Sequence, residues 1–243
     1  MASVAVFDSG LGSLSVVRAI RARCRCRITY LADQASYPYG LKTARELGRI
    51  VRRTVRELEE RFSPDAIVAA SNTPGLLLDV PGVIMVRPPL AEAARASRTG
   101  RIAFVGTRAS VRSAGLARMA RSLPDGCRMQ KIDGTRLVDL AESGAFHRDP
   151  ELCRRVISED MRPGRGVDTV VLGSTHLALL LPLLKSALPG MSFVDPADRA
   201  AARACAAGPP EGRSSLRVYT TGDPARLRLS LAAAGLRCAV RAF

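Results

Sequence analysis

Two seven-residue stretches, AASNTPG at 69–75 and LGSTHLA at 172–178, share one design: each follows an apolar run of strand character and delivers a serine, Ser71 or Ser174, into a turn of small polar residues. Another pair of turns precedes them at a matching offset. The opening SVAVFDSGLGSLSV turns at Asp8-Ser9-Gly10 and GRIAFVGTRASV turns at Thr107, so 99 residues separate Asp8 from Thr107 and 103 separate Ser71 from Ser174. Matched offsets of this kind indicate an internal duplication. The repeated unit is strand, polar turn, helix, and such alternation builds parallel sheets of the α/β class, whose ligands bind beyond the carboxyl ends of the strands. The expected fold is therefore α/β, with two pseudo-symmetric lobes, mostly parallel sheets and a site in the cleft between them. At 243 residues and 47% hydrophobic content the chain can bury the cores of two such lobes.

The remaining segments fit this frame. SVAVFD is a strand and Leu14 to Ile20 has helical periodicity; RITYLAD at 27–33 is a second strand, followed by the loop QASYPYGLK. A long amphipathic helix runs from Thr43 to Arg61 and stops before Ser63-Pro64. DAIVAA and GVIMV are further strands of the first half; CRMQKID, a helix at 151–161 and DTVVLG follow in the second. The final RVYTTGDPARLRLSLAAAGLRCAVRAF reads as strand, turn, helix and strand that return to the first lobe. The expected division is 1–91 plus 197–243 for the first lobe and 92–196 for the second.

Composition narrows the function. The net charge is +15, from 37 Lys and Arg against 22 Asp and Glu, but the arginines are spread along helices such as RIVRRTVRELEERF. No basic cluster is interleaved with aromatics, so nucleic acid is not expected as the main partner; the field would draw in a small dianion. The six cysteines, at 24, 26, 127, 153, 205 and 238, form no CxxC pair and have no neighbouring histidines. Reduced structural thiols are expected, with neither a zinc site nor a disulfide framework. No apolar run reaches the roughly 18 residues that cross a bilayer, and MASVAVFDSG has no basic region leading into a long apolar one, so a cytoplasmic, membrane-free protein is expected. GLGS at 10–13 lacks the dinucleotide-binding spacing and is read as a turn.

If the lobes face each other, all four turns converge. Short hydroxyls, an Asn amide and backbone N–H groups suit the carboxylates and ammonium of a small zwitterion. Equivalent residues on either side of a ligand suit a reaction with mirror-related halves, in which one side removes a proton from carbon and the other returns one to the opposite face. Racemisation has that symmetry. A thiol, with a pKa of about 8.5, can supply the base; a serine hydroxyl is the wrong group for that task.

The motifs VFDSGLGSLSV, YLADQASYPYGLK, SNTPG, FVGTRAS, LAESG, VVLGSTHLALL and YTTGDP, in this order over nearly the whole chain, resemble the cofactor-independent glutamate racemases of the aspartate/glutamate racemase superfamily. The resemblance implies a small acidic amino acid or dicarboxylate as ligand, no cofactor and no metal, a role in supplying peptidoglycan precursors, and admits a homodimer. It also implies roles. Ser9, Pro38, Tyr39, Gly40, Asn72, Thr73 and Thr175 match substrate-binding or supporting positions, and Thr107 with Ser110 would hold the substrate carboxylate, Ser110 replacing a Thr. Asp8, Glu142 and His176 match the groups that assist proton transfer. The paired acid/base cysteines fall on Ser71 and Ser174. Pro74, Gly75 and the LAL run after His176 also depart from the pattern.

Three readings follow: a racemase whose thiols have been replaced by hydroxyls, so that ligand is held unreacted; a diverged lyase, decarboxylase or isomerase using His176, Glu142 or Asp8; and a non-catalytic amino-acid-binding protein. Single residues have plainer alternatives. Asp8 could cap the first helix, Glu142 could be a solvated helix charge, and Tyr39 could be packing. His147 reads as surface, and neither Ser71 nor Ser174 lies in a G-x-S-x-G nucleophile turn.

Overall fold

The run SVAVFD becomes β1 (Ser3–Asp8), and its nearly unbroken apolarity follows from having a parallel neighbour on both sides and helices over both faces. The computed structural model describes residues 2–207 and 214–243. After β1 come α1 (Ser13–Arg23), β2 (Arg27–Ala32), α2 (Ala44–Phe62), β3 (Ala66–Ala69), α3 (Asn72–Leu77), β4 (Val83–Met85) and α4 (Leu90–Ala96). The second half runs through β5 (Arg101–Gly106), α5 (Arg108–Arg112), α6 (Ala114–Arg121), β6 (Arg128–Asp133), α7 (Thr135–Ser143), α8 (Ala145–Arg148), α9 (Pro150–Asp160), β7 (Thr169–Leu172), α10 (Leu181–Ala187) and β8 (Ser192–Val194). The chain closes with α11 (Ala197–Cys205), β9 (Ser215–Thr220), α12 (Pro224–Ala233) and β10 (Val240–Ala242).

These strands form two sheets, six-stranded in the order β10-β9-β2-β1-β3-β4 and four-stranded in the order β6-β5-β7-β8. Every pairing is parallel. The fold is thus the expected α/β architecture of two lobes, and the last segment does return to the first sheet, through β9 beside β2. The short strand β8 and the helices α3, α4, α7, α8, α10 and α11 are additional to the sequence reading; their apolar runs are too short to carry a period.

Local chemistry explains the long helix. Thr43 and Glu46 form a reciprocal capping box at the start of α2, satisfying orphan N–H groups, and the helix ends where Ser63 takes a left-handed φ of 42° ahead of Pro64. Leu47, Val51, Val55 and Leu58 form its buried stripe against Phe7, Leu31 and Ile67 of the sheet. The other face of that sheet is covered by α1 and α11, whose core is continuous with the apolar face of the second sheet.

One expectation fails here. Cys24 and Cys205 are joined in a disulfide with a Cα–Cα distance of 5.9 Å, across a sequence separation of 181. The cause is tertiary: α1 and α11 pack side by side and bring their C-terminal ends together, which no local spacing reveals. Cys26, Cys127, Cys153 and Cys238 are free thiols, as expected for all six. No helix among the described residues is long and apolar enough to cross a membrane.

The lobes meet where α6 abuts α3. A Cβ at Gly115 would overlap the carbonyl oxygen of Leu76, backbone that cannot swing aside. Gly115→Ala should therefore lower stability by about 1–3 kcal/mol as the helices are forced apart. Gly48→Ala on α2, where the added methyl meets only the flexible end of Arg52, should be neutral or mildly stabilising. Urea midpoints of the two variants check the pair; equal midpoints would refute the close approach. Alkylation of the unfolded chain without reductant should leave two of the six cysteines protected.

Candidate active site

All four turns singled out in the sequence lie at carboxyl ends of inner strands: Asp8 ends β1, Ser71 follows β3, Thr107 follows β5 and Ser174 follows β7. The duplication extends to backbone geometry. Ser71 has φ −137° and ψ 136°, Ser174 has φ −143° and ψ 135°, and each precedes a short helical turn. Both serines line one cavity of about 200 Å³, together with Ser9, Pro38, Tyr39 and Gly40 from the first lobe and Thr107 and His176 from the second. Thr73 lines it as well. Two larger hollows, of about 530 and 610 Å³, lie elsewhere; the first is lined by Asp79 with several arginines and the second by Glu46 with Lys42 and several arginines, and neither includes any of the predicted site residues.

Behind this lining stand the other predicted residues. Asp8, Asn72, Ser110 and Thr175 are buried, and the Thr175 hydroxyl donates to the Ala70 carbonyl at 3.1 Å, tying the two serine-bearing turns to one another. Thr107 caps α5 through the Ser110 N–H at 3.3 Å and donates its hydroxyl to Ser110 Oγ at 3.1 Å, so this pair is preorganised. The Asn72 amide is buried with neither its nitrogen nor its oxygen hydrogen-bonded among the described residues. Orphaned buried amides are rare in folded proteins.

The plainer alternatives can now be decided for three residues. Asp8 does not cap α1, which begins after Gly12; its Oδ1 accepts from the Ser9 N–H at 2.6 Å and its Oδ2 is buried with no hydrogen bond among the described residues. Glu142 is no solvated charge: its Oε2 accepts from the Leu11 N–H at 2.6 Å and meets His176 Nε2 at 2.9 Å. His176 Nδ1 in turn lies 3.4 Å from Ser174 Oγ. Tyr39 is both packing and lining, since it is buried in the first core while its hydroxyl donates to Asp33 at 3.2 Å. His147 is not among the cavity residues.

Sequence reasoning missed Tyr37, Leu41, Arg108, Ala109, Thr135, Val138 and Asp139, which also line the cavity. A signal existed for Asp139: it precedes Glu142 by one helical turn, so both share a face of α7.

The electrostatics set this group apart. Burial of His176 acts to lower its pKa, but the hydrogen bond to Glu142 and the carboxylates of Asp8, Glu142 and Asp139 outweigh it, and the imidazolium is favoured. Burial pushes the Asp8 carboxyl from 3.8 up to about 6, against the opposing pull of His176 and the Ser9 N–H. Asp139 is also raised, by burial. The cleft thus holds an oxygen acid with a mid-range pKa on one side and a hydroxyl–imidazole–carboxylate chain on the other, a set able to move protons at neutral pH.

Because the folded state raises the Asp8 pKa, its contribution to stability is fully present below about 3.8 and lost as pH rises through about 6. Asp8→Asn, neutral throughout, should exceed the parent in stability at pH 8 by up to about 3 kcal/mol, the gap closing towards pH 4. Urea unfolding from pH 3.5 to 8 reads this directly. A gap independent of pH would mean that the charge of Asp8 is not its cause.

Comparison with known proteins gives this geometry a family. Residues 8–204 match the model of the Asp/Glu/hydantoin racemase family. A glutamate racemase of Desulforudis audaxviator is 34% identical over 207 residues, 80% of this chain and 75% of that one. The glutamate racemase of Gloeobacter violaceus is 32% identical over 234 residues, 91% of this chain and 88% of its own. Among solved structures, the Thermus thermophilus glutamate racemase in complex with β-chloro-D-alanine superposes with a TM-score of 0.82 at 30% identity, covering 100% of this chain and 96% of the other. The Escherichia coli glutamate racemase bound to L-glutamate and the activator UDP-MurNAc-Ala also gives 0.82, at 26% identity over 100% and 98% of the chains. The chain belongs to the Asp/Glu/hydantoin racemase family.

Proposed function

We propose that this protein binds glutamate, or a closely related acidic amino acid, between its lobes, and that Ser71 and Ser174 flank the substrate α-carbon as counterparts of two proton carriers. The observation that carries this reading is the shared cavity lined by both serines with matching backbone geometry. In two-base racemisation one carrier takes the α-proton and the opposite one returns a proton to the other face. Asp8 would assist on the Ser71 side; His176, oriented by Glu142, would assist on the Ser174 side. Asn72, Thr73, Thr107 and Ser110 offer the amide and hydroxyl groups for the carboxylates, while Ser9, Pro38, Tyr39, Gly40 and Thr175 shape and brace the cleft. The scheme invokes no cofactor.

Oxygen at both carriers changes the rate rather than the fit. A hydroxyl is close to a thiol in shape but a far weaker acid, and each pKa unit adds about 1.36 kcal/mol to the cost of forming the anion. The chain as it stands is therefore a binder with suppressed turnover. The relatives named above, each a glutamate racemase, lend no support to a lyase, a decarboxylase or a purely non-catalytic protein. We place the protein in the cytoplasm, admit a homodimer, and divide the lobes at 1–91 plus 197–243 and 92–196; the sheet membership of the strands supports the division.

The double variant Ser71→Cys with Ser174→Cys should interconvert L- and D-glutamate and incorporate solvent deuterium at the α-carbon, at a rate about a thousandfold or more above the parent. Proton NMR in deuterated buffer and chiral chromatography supply the readouts. Absence of exchange with both glutamate and aspartate in a folded double variant would end the racemase reading.

A further inference from the structure

The geometry points to Arg108 as the residue that selects for the distal carboxylate of the substrate, an inference that rests on the acidic-amino-acid reading above. A ligand with two carboxylates entering this cleft meets Asp139 on the lining, with buried Asp8 and half-buried Glu142 behind it, so a permanent cation would favour the second carboxylate. Among the described residues lining the cavity, Arg108 alone supplies one; His176 is titratable and already spoken for by Glu142 and Ser174.

The side chain is held in a way that leaves its fork free. The Arg108 backbone N–H donates to Thr135 Oγ1 at 2.9 Å, and Thr135 in turn is fixed by Asp133 Oδ1 at 2.6 Å. Asp133 Oδ2 accepts from Arg108 Nε at 2.8 Å, and neither Nη makes a hydrogen bond among the described residues. The guanidinium is thus anchored by one edge while its two terminal nitrogens remain available, and a guanidinium fork binds carboxylate oxygens in a planar, bidentate manner that a point charge does not. Arg108 directly follows Thr107, so it is carried on the same turn as the hydroxyls proposed for the substrate. Its side chain is 67% exposed, so the cation is on the solvent side of the cavity lining, open to a carboxylate that extends from a ligand held between the serines.

Calorimetry on the chain as it exists, with L-glutamate and L-glutamine as probes of equal length and different charge, tests this. The parent should prefer glutamate by about tenfold. Arg108→Gln should abolish the preference by weakening glutamate alone, with Arg108→Lys retaining part of it and the glutamate affinity losing some of its salt dependence. Arg228→Gln, on the exposed face of α12, should change neither ligand. In the double-cysteine background Arg108→Gln should raise KM for glutamate while leaving kcat within about twofold. Persistence of the preference in Arg108→Gln overturns the assignment, and so does parallel weakening of both ligands, which would mark a merely structural role. A parent that binds neither amino acid overturns the acidic-amino-acid reading itself.

Discussion

One carboxylate oxygen holds the two halves of this site in register. Glu142 Oε2, projected from α7, accepts from the Leu11 N–H in the turn after β1 and meets His176 Nε2 in the turn after β7. Both contacts depend on the glycines of GLGS. A side chain at Gly10 would collide with the Glu142 carboxyl, and one at Gly12 with His176 and Thr175. The close approach of the first turn to the second lobe is thus written in missing Cβ atoms, with the charge of Glu142 filling the space they leave.

From that contact the rest of the site follows. The imidazole is fixed at one nitrogen and presents the other to Ser174, while Asp8, at the end of β1 in the first lobe, is buried with one oxygen that has no hydrogen bond among the described residues. Burying carboxylates beside an imidazolium is costly unless each is paired, and Asp8 is only partly compensated. Stability is given up at this cluster of acidic groups and imidazole, beside the cavity that Ser71 and Ser174 line.

Much of this was legible in the chain itself. The duplicated turns disclosed two related lobes and the four strand ends that would converge, because a parallel strand's apolar run and the polar turn after it are both local features. The place of His176 in a turn beyond a strand end was legible for the same reason. Glu142 was harder, since a glutamate on a short helix looks like any solvated charge until its helix is seen to face the opposite lobe. Arg108 and Asp139 were not found, because an arginine in a chain with 37 basic residues carries no signal by its type alone.

What the sequence by itself determined is the repeated strand–turn–helix grammar, and with it the α/β class and the hydroxyls that end the strands. These depend on periodicity and turn chemistry, which act over a few residues. Only the tertiary structure decided which distant groups meet: the Cys24–Cys205 disulfide that contradicts the expectation of free thiols, the Glu142 bridge, and the Arg108–Asp133 pair at the cavity lining. Such pairings arise from how helices pack across sheets and lobes, and burial and mutual distance, on which acid strength and bonding depend, exist only once that packing is complete.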